Sequence, residues 1–225
     1  AAIVCFSLFA FVWPAGPRGQ LDDPKSGLRF AAAFRELARP GLLARIVAVG
    51  LITGSNQLYM AVFGLLIVKG IGGSTSDVGR FHGAIALLEI PFMLMCGLAL
   101  RHMSKSGLIA AGGTIYAGFL FLFASMSSMT LTYLLVVPAA IGAAIILSIS
   151  ISYLQDLLAA RPGAGGSLMA VSNFFGQMVA AGTFALGTAV TSYAGTAMLG
   201  GVVGLIGVSA LLAMDGWRKT MPAEV

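Results

Sequence analysis

Six long apolar segments, joined by connectors of four to nine residues, leave this chain few folds to choose from. They fall at 46–68, 78–100, 107–125, 131–158, 167–191 and 196–214. A helix needs about 20 apolar residues to cross the hydrocarbon core of a bilayer, and each segment reaches or nearly reaches that length. Barrel strands would instead alternate over about ten residues, a pattern the chain lacks. Only 9% of its residues are charged, against about 25% in a soluble domain. A soluble globular enzyme, a disordered regulator and a coiled coil are therefore excluded. The expected fold is all-α, a polytopic membrane helix bundle whose short connectors make consecutive helices antiparallel neighbours.

The formal charge of +5 has a pattern that fits topology better than nucleic acid, and no nucleic-acid partner is expected. Arg18, Lys25, Arg29, Arg35, Arg39 and Arg45 precede the first segment. Arg101, Lys105, Arg161, Arg218 and Lys219 fall on the same side, eleven basic residues in all, while only Lys69 and Arg80 fall on the other. Such a bias marks the cytoplasmic side. Residues 14–45 then read as a central cytoplasmic loop, 46–214 as the six-helix bundle and 215–225 as a cytoplasmic tail. Within the loop, Phe30, Phe34 and Leu37 recur at helical spacing, so 27–37 suits a short helix on the membrane surface that Pro40 would end. The chain opens on Ala1, inside an apolar run at 1–13 that is short for a span and has no basic leader. That run is expected to be the end of a truncated transmembrane helix, and the chain part of something longer.

Small residues supply packing surfaces, because apolar helices in lipid have no hydrophobic reason to associate and depend on close approach. Gly200 and Gly204 make a GxxxG pair, and Ala139/Ala143 and Gly113/Ala117 make weaker ones. Cys5 and Cys96 both lie in apolar runs, so no disulfide or metal framework is expected, and no cofactor. No HExxH, GxSxG or phosphate-binding loop occurs, and the Gly72-Gly73-Ser74 run has no base partnered to its serine. The chain is not expected to be an enzyme.

Polar residues inside the segments carry the functional signal, since an ionisable group at mid-membrane costs about 3 kcal/mol or more. Glu89 lies eleven residues from each end of its segment. It is the candidate proton-carrying carboxylate, with His82 two turns earlier on the same face and Pro91 beyond it. Asn56, Gln57 and Tyr59 on the first segment, and Asn173 with Gln177 on the fifth, sit at similar depth. Amides and a phenol both donate and accept hydrogen bonds, which suits a polyhydroxylated ligand. Ser148, Ser152 and Gln155 share a face of the fourth segment. Asp156 nearby is a candidate gating or structural charge, able to pair with Arg101, Lys105 or Arg161.

In this order the features resemble the C-terminal half of a major facilitator superfamily transporter, six full transmembrane helices preceded by part of a further one. The run from Gly97 to Lys105 is similar to the superfamily's loop motif, with Gly97, Arg101 and Lys105 in place and Leu100 at the acidic position. Leu88-Glu89-Ile90-Pro91 and Tyr153-Leu154-Gln155-Asp156-Leu157, followed by Pro162-Gly163, resemble the bacterial sugar efflux transporter family. Asn56 and Tyr59 match that family's seventh helix, where Val62 replaces an acidic residue. The resemblance implies proton-coupled efflux (antiport) of small sugars or glycosides across the bacterial inner membrane by alternating access. It also implies partnership with an N-terminal six-helix half that this chain lacks. Two other readings stay open: a major facilitator exporter of drugs or other metabolites, and a structural membrane protein that transports nothing.

Overall fold

The first turn of the bundle is set by Pro40, whose fixed φ and missing N–H suit the start of a helix. The computed structural model describes residues 39–157 and 164–216. The expected half-helix at 1–13, the surface helix at 27–37, Arg161 and the tail beyond 216 lie outside the described residues. Helix α1 is Pro40–Leu65 and continues as a π-helical turn, Leu66–Ile71. Then come α2, Thr75–Ala99, and α3, Lys105–Ala124. A turn at Met129–Thr132 and a 3-10 turn at Tyr133–Leu135 lead into α4, Val136–Leu157. Helices α5, Ala164–Val190, and α6, Tyr193–Asp215, complete the described chain. All six are long and apolar enough to cross a membrane, so the protein is an all-α membrane helix bundle.

The helix ends differ from the apolar limits where polar residues do the capping. Helix α1 starts at Pro40, inside the stretch read as loop. Ser74 caps α2: its Oγ accepts from the Asp77 N–H at 3.2 Å, and its own N–H donates to Asp77 Oδ2 at 2.9 Å. This reciprocal pair is a capping box, and it gives Ser74 a structural role at the start of α2. Gly72 takes a left-handed φ of 80° to end the π-helical turn, a conformation glycine adopts without steric cost. Ser104 and Ser192 cap α3 and α6 by accepting from Gly107 and Gly195 at 3.0 and 3.2 Å. Helix α2 runs through Pro91 without interruption.

Consecutive helices are not all neighbours. Helix α2 makes little contact with α3 and packs on α4 instead, while α1 packs on α5 and α6, and α3 on α4 and α6. Exchanging the first three helices for the last three maps these pairs onto one another: α1 on α5 becomes α4 on α2, and α3 on α4 becomes α6 on α1. The result leaves α2 and α5 the least buried of the six. They display Leu87, Ile90, Leu94 and Leu98, and Phe174, Met178 and Leu186, respectively.

Glycines sit where the packed helices come closest. A Cβ on Gly54 would lie 2.9 Å from the Gly176 carbonyl oxygen, and one on Gly176 would lie 2.9 Å from that of Gly50. Gly200 and Gly204 pack against Leu58 and Ser55 of α1, so that sequence pair does serve packing within the bundle. The α1–α5 contact, with Gly50 and Gly54 spaced as GxxxG, was not singled out in the sequence.

One end of the bundle is tied by ions. Arg45 Nε donates to Asp215 Oδ1 at 2.8 Å, joining the start of α1 to the end of α6. The Tyr153 hydroxyl of α4 donates to the other oxygen of the same carboxylate. Lys105 at the start of α3 pairs with Asp156 at 2.6 Å and donates to Ser152 Oγ at 2.6 Å. Arg45, Arg101 and Lys105 thus share one end, and Lys69 and Arg80 belong to the other, as the charge pattern requires.

Candidate functional site

Two polar clusters lie near mid-bundle, on opposite faces of α1. Residues two apart on a helix point about 200° apart at 3.6 residues per turn, so Gln57 and Tyr59 cannot serve one small site. Gln57 faces α5, where it and Gln177 line a cavity of about 360 Å³ together with Ala61, Ala180, Ala181 and Phe184. The alanines leave room, the two amides offer donors and acceptors, and Phe184 supplies a flat apolar wall. Such a mix of apolar surface with a few convergent polar groups is usual for a small-molecule site. Asn173 lies one turn before Gln177 on α5 and is half-buried. Asn56 is buried within α1.

Tyr59 faces the other way. It stacks on Phe63 with ring centroids 4.9 Å apart and meets Tyr116 and Phe119 edge-on at 6.1 and 5.4 Å. Glu89, half-buried in the middle of α2, is close enough to interact electrostatically with both Tyr59 and Tyr116. His82 lies against Phe63, centroids 5.3 Å apart. The Tyr59 hydroxyl and His82 Nδ1 are buried without a hydrogen-bond partner among the described residues.

An unsatisfied buried hydroxyl destabilises a fold by about 1–3 kcal/mol, so Tyr59 gives a clean separation of stability from function. Tyr59→Phe keeps the ring contacts and removes only the orphaned group. Its thermal midpoint in detergent is expected to hold or rise, while any activity that uses the hydroxyl falls. A clear drop in the midpoint would show that the hydroxyl is satisfied and structural.

The structure therefore brings together Gln57 with Gln177 in one cavity, and leaves Tyr59 and Glu89 within electrostatic range but without a hydrogen bond between them among the described residues. Of the charge candidates, it pairs Lys105 with Asp156 and leaves Arg101 without a side-chain partner among the described residues. Sequence reading did not single out Phe184, Tyr116 or the Arg45–Asp215–Tyr153 tie. Phe184 had a signal, two turns after Gln177 on the same helix. The tie had none, because its members lie up to 170 positions apart.

Comparison with known proteins gives the same direction. No family model matches the chain, and no solved structure matches it significantly. Sugar efflux transporter A of Escherichia coli is 27% identical over 177 residues, covering 77% of this chain and 43% of the relative. Sugar efflux transporter B of Salmonella typhimurium is 26% identical over 197 residues, covering 86% and 49%. Sugar efflux transporter C of Escherichia coli is 26% identical over 169 residues, covering 73% and 41%. The chain spans less than half the length of these relatives. Over most of its own length, this multi-pass helix bundle resembles the bacterial sugar efflux transporters.

Proposed function

We propose that the chain forms one six-helix half of a transporter that exports small sugars or glycosides from the bacterial cytoplasm in exchange for protons. The observation that carries this reading is the α1–α5 cavity, where Gln57 and Gln177 face each other beside Phe184, in a chain whose relatives are named sugar efflux transporters. Amides match sugar hydroxyls, and an aromatic wall matches the apolar face of a sugar ring. The exchange symmetry of the helix packing fits two inverted three-helix repeats, an arrangement in which substrate binds near the bilayer midplane. The exposed faces of α2 and α5 are then the surfaces that meet the second half and rock against it. Glu89 is the group that carries the proton. The end tied by Arg45–Asp215 and Lys105–Asp156 is cytoplasmic, in the inner membrane, as the excess of Lys and Arg at that end supports.

Efflux of labelled sugars from vesicles holding the complete transporter, under an imposed pH gradient, tests the proposal. Gln57→Leu and Gln177→Leu should each weaken sugar binding roughly fivefold, the equivalent of about 1 kcal/mol for one neutral hydrogen bond. Failure of every sugar to move under any gradient sinks the export reading. Unchanged sugar affinity in both variants would leave export standing and remove this cavity from it.

A further inference from the structure

Because α2 packs on α4 and turns away from α3, a lateral cleft opens between the three helices. It has a volume of about 460 Å³, and its walls include Phe92, Met95 and Leu98 of α2, Leu108 of α3 and Ile145 of α4. These walls are apolar, but Arg101 and His102 line the cleft where α2 ends. Both side chains are exposed, and neither has a side-chain partner among the described residues. The neighbouring cation, Lys105, is already committed to Asp156 and Ser152. From Phe92 to Ala99 the cleft follows α2 for about 10 Å, at about 1.5 Å per residue. That is most of the depth of one leaflet's hydrocarbon, about 15 Å or half of a core about 30 Å thick.

The geometry points to a phospholipid site: the cleft holds one acyl chain of an anionic phospholipid, and Arg101 with His102 bind its headgroup phosphate. Three observations converge on this occupant. The cleft is apolar where a lipid tail would lie, and its unpaired cation sits at the helix end, where headgroups are. Met95 on its wall is more than half exposed and lies about 100° around α2 from Leu94, so the cleft opens to the bilayer beside the face that meets the second half. A guanidinium gives a phosphate two parallel hydrogen bonds, and basic pockets between transmembrane helices bind anionic headgroups. A sugar would leave these walls without polar partners. The inference does not depend on what is transported, since it requires only that the bundle sits in a membrane with the Met95 side of α2 left uncovered by the second half. It places the lipid against α2, the helix that carries Glu89.

Native mass spectrometry of the protein, taken from vesicles that mix phosphatidylglycerol with phosphatidylcholine, tests the site. One phosphatidylglycerol is expected to stay bound in preference to phosphatidylcholine. Arg101→Gln should weaken its retention roughly fivefold, the usual effect of one basic residue near an anionic membrane surface, and His102→Gln should weaken it further. Both residues are exposed, so the fold should tolerate the changes, and helicity by circular dichroism checks that it does. Leu98→Trp, on the rim of the cleft, gives a second readout without altering charge. Its added fluorescence over wild type should be quenched more by brominated phosphatidylglycerol than by brominated phosphatidylcholine at equal content. Equal retention of the two lipids, equal quenching, or unchanged retention in Arg101→Gln would overturn the site. Displacement of the lipid by soluble glycerophosphate would also overturn it, because the apolar cleft would then contribute nothing.

Discussion

Glu89→Gln is expected to abolish uphill sugar efflux driven by a pH gradient while leaving downhill sugar exchange in place. The substitution keeps the size of the side chain and removes its ability to take up and release a proton. If protonation of Glu89 and sugar binding are linked, each changes the affinity of the other by the same factor, typically about 5–150-fold. That factor appears in the wild type as a pH dependence of sugar affinity, and in the glutamine variant it should collapse to none. A proton can bias two conformations only through different affinity for each. The position of Glu89 gives a physical basis for such a difference, because α2 is among the least buried helices and the half-buried carboxyl is within electrostatic range of the buried Tyr59 and Tyr116. A merely structural glutamate predicts another outcome: altered stability with an unchanged pH profile. The two are separated by measuring sugar counterflow and gradient-driven accumulation in the same vesicles. Accumulation by Glu89→Gln at the wild-type level would remove the residue from coupling.

How much of this is legible in the sequence follows from which forces act locally. The six spans were visible because crossing a bilayer imposes a length and an apolar composition on each segment by itself. Their ends were displaced by up to six residues where Pro40, Ser74, Ser104 and Ser192 start helices ahead of the apolar run, a local signal that hydropathy ignores. Glu89 and the amides were visible for the same reason as the spans, since polarity in lipid is conspicuous. Their grouping was not. Gln57 and Tyr59 lie two positions apart yet join different clusters, because only the packing of α5 on one face of α1 and α3 on another decides what each meets. Asp215 read as the start of a tail, whereas it ends α6 and holds Arg45 and Tyr153. Partnerships across helices are tertiary facts that a periodicity does not encode.

The substitution Gly54→Ala, one methyl group, is expected to do more damage to the bundle than most larger changes on its surface. In lipid, α1 and α5 gain little from being apolar, so their contact depends on backbone approach. That approach is tight at Gly54 and Gly176, where an added Cβ meets carbonyl oxygen first rather than a side chain that could swing away. Overpacking of this kind costs about 1–3 kcal/mol. Gly118 of α3 is the control, since a Cβ there meets nothing within 4 Å. Alanine in an open helical position instead stabilises by about 0.5–1 kcal/mol relative to glycine. The two alanine variants should therefore move the unfolding midpoint in opposite directions. Adding Gly176→Ala to Gly54→Ala should cost less than the sum of the single changes, because one methyl group already parts the helices and contacting residues are not additive. The functional consequence follows from position. Gln57 lies just beyond Gly54, and Gln177 follows Gly176, so the crossing sets the distance between the two amides across the cavity. Gly54→Ala should weaken sugar binding even at temperatures where the protein stays folded. Equal midpoint shifts in the same direction for Gly54→Ala and Gly118→Ala would show that the crossing is loose, and would leave the width of the cavity without a determinant.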